Sequence, residues 1–263
     1  MRQQSFVTDD FEKYRKKTRK EIFLEEMDRI IPWKALSKVI KPYYPKPKGA
    51  GRRPIGIERM LRIHFLQHWF ELSDPGAEEA LYDSRAMRQF VGIDLGKEPV
   101  PDETTILNFR HLMERHNLGD EMFRLVNEYL AENGLKVNRG TIVDATIIDA
   151  PTSTKNKDKA RDPDMRQTRK GNQWYFGMKT HIGVDNQTKL IHSVAVTAAN
   201  VHDSQLLGDL LHGDETHVWG DSAYAGHKQL LYEQAPQAKD CTQKKGSRYR
   251  KLTEAEQLAN RYK

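Results

Sequence analysis

Thr141-Ile-Val-Asp-Ala-Thr-Ile-Ile148 is the stretch on which the fold turns. Branched side chains suit a pleated surface and lose rotamer freedom in a helix, so this run predicts a strand. Its one charge, Asp144, is costly among apolar neighbours unless something positive meets it. Working outward, a polar, basic loop of about twenty residues follows, too long for a mere connector in a compact domain. Phe176–Val184 and Lys189–Thr197 then read as strands joined at Asp185-Asn186, a good hairpin turn. Val201–Leu211 reads as a helix, His217–Gly220 as a strand ending at Asp221, His227–Gln234 as a helix, and residues 238–242 as one more strand. This order gives an α/β sheet with a hairpin in it. At the end, Thr253 and Glu256 form a capping box for a helix over Thr253–Lys263. That helix lacks a Gly, Asn or Pro terminator and reads as cut short.

Upstream of Gly140 the period changes. Residues 10–41 predict a helical segment ending near Pro42, and Pro42 to Pro54 form a Pro- and Gly-rich basic linker. Ile57, Met60, Leu61, Phe65, Trp69 and Leu72 recur at helical spacing. Asp74 as N-cap and Pro75 at the first helical position predict a second helix running to about Val91. Asp102 caps a third with Ile106, Phe109, Leu112 and Met113 inward, and a fourth ends at Asn133-Gly134. The organisation expected is a basic N-terminal segment and linker (1–53), a helical domain (54–135) and a sheet domain (138–263).

The 263 residues suffice for a real core, and no apolar run approaches the roughly 18 residues of a membrane span. A single cysteine, Cys241, excludes an internal disulfide and a multi-cysteine zinc site. With a charged N-terminus that lacks a signal peptide's apolar core, these features predict a cytoplasmic protein without a membrane partner. The net charge of +6 is unevenly spread. Residues 1–53 carry 15 Lys/Arg against 7 Asp/Glu, residues 155–170 carry 7 against 3, and residues 239–263 carry 8 against 3. The intervening segments are acidic, with 10 against 17 over 54–154 and 3 against 7 over 171–238. Basic blocks of this kind meet nucleic-acid phosphates by releasing counterions; the alternative is a set of solvated faces.

Asp144 and Asp221, at the ends of adjacent strands, could chelate a hard divalent cation, although a strand-end Asp is more often a turn former. Asp149 reads as a cap for the turn at Pro151. Lys155, Lys157, Lys159, Arg161, Arg166, Arg169 and Lys170 flank the Asp144 strand and suit a DNA backbone. Lys179 alternates onto the face of His181 and could also face DNA. Trp174, Tyr175 and Phe176 suit base stacking or a core. Asp203 reads as a helix cap, His64 and His68 as packing residues, and Asp102–His116 as a candidate helix-turn-helix with Arg110 and Arg115 outward.

Several longer motifs carry a resemblance. Leu61-Arg-Ile-His-Phe-Leu-Gln-His-Trp69, Leu72-Ser-Asp-Pro75, Glu79-Ala-Leu-Tyr-Asp-Ser84 and Pro101-Asp-Glu-Thr-Thr-Ile106 resemble the N-terminal domain of bacterial insertion-sequence transposases of the InsH type. Val143-Asp-Ala-Thr-Ile-Ile-Asp-Ala-Pro151, Ser153-Thr-Lys-Asn156, Lys170-Gly-Asn-Gln-Trp-Tyr-Phe-Gly-Met-Lys179, Thr197-Ala-Ala-Asn200 and Gly220-Asp-Ser-Ala-Tyr224 resemble the second half. The match runs in order from roughly residue 5 to the end. The resemblance implies an α/β chain: an N-terminal helical domain, then a ribonuclease-H-like mixed sheet with flanking helices, the last helix incomplete. It implies Asp, Asp, Glu chemistry with Asp144 and Asp221 as the first two carboxylates and metal ligands, Mg²⁺ as cofactor and Mn²⁺ as substitute. No residue within the chain matches the third, a Glu on a helix; Glu254 and Glu256 lie in a different context. The implied partners are DNA, as terminal inverted repeats and target, and a second copy in a homodimer at the bacterial nucleoid. The expected activity is metal-dependent cleavage and strand transfer at element ends, impaired by the missing carboxylate, and the missing helix would also leave one side of the sheet uncovered. The alternatives are an end-binding inhibitor of transposition without catalysis, and a ribonuclease-H-like nuclease on structured DNA.

Overall fold

The computed structural model describes residues 16–47, 53–135, 139–151, 154, 160–247 and 249–261. The chain forms two compact units, Met1–Tyr129 and Leu130–Lys263. In the first, described helices are α1 (Arg19–Ile30), α2 (Trp33–Ile40), α3 (Ile57–Phe70), α4 (Asp74–Asp83), α5 (Arg85–Val91), α6 (Glu103–Arg115) and the start of α7 (Leu118–Glu132). Leu24, Trp33, Leu36 and Ile40 share one core with Met60, Leu61, Ile63, Leu66, Ile106 and Phe109. Each such side chain contributes about 1.5–3 kcal/mol by leaving water. Among the described residues no helix is long and apolar enough to cross a membrane.

The caps explain where sequence reading went astray. The expected helix over 10–41 breaks at Pro32, which has no N–H to continue α1's ladder. Ser73 caps α4, its hydroxyl accepting from the Gly76 N–H, and Asp74 is the first helical residue instead. Asp74 is drawn elsewhere, to Gln67 at 2.8 Å and Arg110 at 2.9 Å. Ser84 ends α4 in extended backbone and caps α5, splitting the helix expected to run to Val91. Asp102 caps α6 as expected, accepting from the Thr105 N–H.

The second unit is a six-stranded sheet of β1 (Gly140–Asp149), β2 (Arg166–Lys170), β3 (Gln173–Asp185), β4 (Ile191–Ala198), β5 (His217–Gly220) and β6 (Lys239–Asp240), with helices α8 (Lys228–Gln234) and α9 (Glu254–Arg261). The strand order is β2-β3-β1-β5-β6, with β4 also pairing β3; β3 is antiparallel to β1, β2 and β4, and β5 and β6 run parallel to β1. Those orders and directions are ribonuclease-H-like. Two expectations are corrected. The supposed loop after β1 contains β2, which forms a tight hairpin with β3 across Gly171-Asn172. Val201–Leu211 is two short 3-10 turns, Asp203–Leu206 and Gly208–Leu210. His202, not Asp203, caps the first of them.

Odd residues of β1 and β3 face a core of Val143, Val218, Leu207, Leu210, Leu211, Tyr224 and Leu231. Even residues face the other side, where Ile148, Val194 and Val196 are about half exposed among the described residues. Gly183 is required at its place: a Cβ would lie 2.3 Å from the Leu210 carbonyl oxygen. The capping box at α9 forms, Thr253 Oγ1 accepting from the Glu256 N–H and Glu256 Oε2 from the Thr253 N–H.

His64 in α3 supplies a pH test of the first unit. Burial lowers its imidazole from 6.5 to about 4, His68 and Arg110 adding to the shift against Glu114 and Gln67. The unfolded chain protonates this ring near 6.5 while the folded chain keeps it neutral, so its contribution is complete above 6.5 and is lost as pH falls toward 4. Hydrogen-exchange protection of α3, corrected for intrinsic rates, should fall across that window. His64→Leu should flatten the fall between 6.5 and 5; an unchanged slope would rule His64 out as its source.

Candidate functional site

Backbone direction explains how Asp144 is presented. The Arg139 carbonyl accepts from Thr216 next to β5, whereas the Gly140 carbonyl accepts from Asn186 next to β3. Strand groups alternate, so odd residues of β1 direct their N–H groups toward β5. β5 ends at Gly220, opposite Val143, while β1 continues to Asp149. The Ala145 N–H therefore has no strand to meet, and Asp144 Oδ1 takes it at 2.8 Å. One step beyond Gly220, Asp221 Oδ1 accepts from the Ala223 N–H at 2.8 Å. Val143 and Gly220 are the last paired positions of β1 and β5, so Asp144 and Asp221 each directly follow a paired residue of two parallel strands, whose spacing is about 4.8 Å. Both residues are exposed, and among the described residues no hydrogen bond is made by Oδ2 of either.

Behind this pair is a half-buried polar group. Lys179 Nζ donates to Asp203 Oδ1 at 2.7 Å and to the Val201 carbonyl at 2.8 Å, on the core side of the sheet. His181 is fully buried two residues on, its Nε2 2.9 Å from Thr197 Oγ1, and burial lowers its pKa. The Tyr224 ring packs in the core, and among the described residues its buried hydroxyl has no partner. Burial raises the Tyr224 pKa above its usual range, and Asp203, Asp144 and Asp221 push it further. One phenol thus lies within the field of three carboxylates.

The remaining basic candidates sit on the β2–β3 hairpin and before it. Arg161 lies over the Phe176 ring at 5.2 Å. Arg166 donates to the carbonyls of Pro163 and Met165. Arg169 pairs in register with Trp174, lies 6.0 Å over its ring, and donates to Gly171 and Asn172. Lys170 is exposed at the hairpin's end. Strand alternation puts Trp174, 65% exposed, on the same sheet face as Asp144, whereas Phe176 is buried. Lys155, Lys157 and Lys159 lie outside the described residues. In the first unit, Arg110 is bound to Asp74 and Glu114. Asp149 Oδ1 accepts from the Phe176 N–H at 3.1 Å and so ties the end of β1 to β3; the turn after Pro151 that it was expected to cap runs into residues 152 and 153, outside the described residues.

Two hard carboxylates with outward oxygens fit a magnesium-like ion, which keeps several waters and accepts one or two carboxylates. Among the described residues no group of three or more His, Cys, Asp or Glu side chains is gathered for a metal. Glu256 is committed to its cap and to Lys244 and Arg250. The sequence missed two participants here, Asp203 and Tyr224. Asp203 meets Lys179 from 24 residues away, which no local pattern reports. Tyr224 follows Gly220 by four residues, and its burial depends on the room that this glycine leaves, which spacing alone does not report.

Comparison with known families gives two matches. Residues 11–112 match the family described as Transposase domain (DUF772), and residues 136–263 match the family described as Transposase DDE domain. No solved structure matches the chain.

Gly220 provides the check on how the second carboxylate is held. A Cβ there would lie 2.9 Å from Val143 Cγ2 and 3.0 Å from Tyr224 Cδ2. Gly220→Ala should destabilise the second unit by about 1–3 kcal/mol through overpacking. Urea unfolding measures this, and a midpoint equal to wild type would show that the turn bearing Asp221 has slack.

Proposed function

The chain belongs to the DDE-class transposases, and from that footing we propose that it is an insertion-sequence transposase of the InsH type whose Asp144 and Asp221 form the metal-binding pair. The observation that supports this reading is that each follows directly on the last paired position, Val143↔Gly220, where β5 stops and β1 goes on. Mg²⁺, or Mn²⁺ in its place, would be held by the outward oxygens and supply charge neutralisation and Lewis acidity at a scissile phosphate. The chain's own part is to fix those oxygens: the N–H groups of Ala145 and Ala223 each tie down one oxygen and leave the other free to ligate. Arg169 and Trp174, on the same face as Asp144, suit a DNA backbone and an unstacked base. Arg161, Arg166, Lys170 and the lysines of the preceding segment extend that cationic surface. Lys179, tied to Asp203, acts from behind the strand through position and charge.

The substrates proposed are the element's terminal inverted repeats and target DNA, engaged by a homodimer at the nucleoid in the cytoplasm. Glu256 is spent on its cap and on Lys244 and Arg250. That favours a second reading, in which end binding outlasts cleavage and the chain inhibits transposition.

Labelled duplex carrying the gene's own flanks, incubated with Mg²⁺ or Mn²⁺ and with EDTA, separates the readings. Metal-dependent nicking at the flank ends that Asp144→Asn abolishes, with DNA binding kept, is the expected result for a transposase. Binding without nicking establishes the inhibitor. Nicking that survives EDTA or Asp144→Asn would remove Asp144 and Asp221 from the chemistry.

A further inference from the structure

Beyond the C-terminal ends of β5 and β6 a cleft of ≈ 480 Å³ runs from the turn that follows Asp221, at Ala225 and Gly226, to the segment between β6 and α9. Four cations line it, Lys228, Lys244, Lys245 and Arg250, against two carboxylates, Asp240 and Glu256. Neither carboxylate is free to neutralise all four. Asp240 Oδ1 accepts from the N–H and hydroxyl of Thr242. Glu256 Oε1 accepts from Lys244 Nζ at 3.1 Å and Arg250 at 2.8 Å, so one carboxylate serves two cations. The Thr253 N–H, then Lys244 and Arg250, hold Glu256 down to about 2, so it stays charged at any working pH.

The segment is also held in place. Asn260 on α9 accepts from the Lys244 N–H and donates to the Lys244 carbonyl, and its own carbonyl accepts from Gln243 Nε2. Ser247 accepts from the Arg250 N–H through its hydroxyl, and the Arg250 carbonyl accepts from the Ser247 N–H. Cations on a braced loop lose little freedom when they meet an anion. Parallel strands place the cleft at the edge where Asp221 sits, the usual ligand-binding edge of such a sheet.

We propose that this cleft is a cradle for the DNA backbone, in which Lys228 and Lys245 each contact a phosphodiester while Lys244 and Arg250, set by Glu256, line the floor. The proposal rests on the transposase reading and adds to it a second path for DNA, on the β5–β6 side of Asp144 opposite the β2–β3 hairpin. Phosphate contacts of this kind carry no sequence information.

The test is the salt dependence of DNA binding by the full chain, on the flank duplex, a scrambled duplex and an RNA duplex of the same length. Lys228→Gln/Lys245→Gln is the variant; both side chains are exposed, and circular dichroism checks that the fold is kept. Each lost phosphate contact lowers the slope of log affinity against log salt by about 0.9, so the double variant should lose about 1.8 on both DNA duplexes and weaken binding about tenfold or more near 0.1 M salt. An unchanged slope with wild-type binding intact overturns the cradle and leaves the transposase reading standing. A loss confined to RNA, or to the flank duplex alone, also overturns it. A wild-type chain that binds neither DNA duplex overturns both.

Discussion

The second unit depends on a mismatch in strand length. β5 stops at Gly220 and β1 continues to Asp149, so parallel pairing ends at Val143 while antiparallel pairing with β3 does not. A strand N–H deprived of its neighbour needs another acceptor, and an unsatisfied one costs about 1–3 kcal/mol when buried. Asp144 is the residue positioned to answer that need with its own side chain. The carboxylate is thereby fixed by the sheet's incompleteness, and Asp221 follows directly on Gly220, the last residue of β5 paired with β1. Gly220 makes the junction possible, since its missing Cβ leaves room for Tyr224 and Val143 to close beneath the turn.

Charge behind the strand is arranged on the same terms. Lys179 is largely buried and would be costly alone, but Asp203 and the Val201 carbonyl meet its ammonium. Buried ion pairs of this sort are poor evidence of stability, because desolvation consumes much of the attraction. Their effect here is positional: the pair ties β3 to the first 3-10 turn, and the turn's Asp203 adds its field to that of Asp144 and Asp221 at Tyr224. Removing either partner would leave the other uncompensated beneath the carboxylates.

Much of this was legible in the sequence. The branched run around Asp144 predicts β1, and Asp185-Asn186 predicts the β3–β4 turn; the resemblance points to Asp144 and Asp221, which follow directly on the paired residues Val143 and Gly220. What failed did so for local reasons. Ser73 outcompeted Asp74 as a cap because Asp74 is held by Arg110 and Gln67, a tertiary pull that spacing does not contain. β2 was hidden because Arg166, Arg169 and Lys170 read as a loop; pairing with β3 gives that short polar strand its structure. Val201–Leu211 carries a helix's apolar residues, yet Gly183 and the Leu210 carbonyl approach so closely that the segment folds as tighter turns against the sheet.

Two carboxylates side by side repel a polyanion as surely as they attract a cation, and a site of this design needs compensating charge close by. The fold supplies it from both directions along the sheet. The β2–β3 hairpin carries Arg166, Arg169 and Lys170 on one side of β1, and the segment after β6 carries Lys244, Lys245 and Arg250 on the other. Low-dielectric walls concentrate such fields, so positive potential is set at the flanks and negative potential at the centre. The basic block over 1–53 belongs to the first unit, whereas the described parts of 155–170 and 239–263 fall on β2 and its approach and on the segment around and after β6. In the second unit the linear alternation of charge therefore becomes a lateral one, with Asp144 and Asp221 on the strands between two cationic flanks.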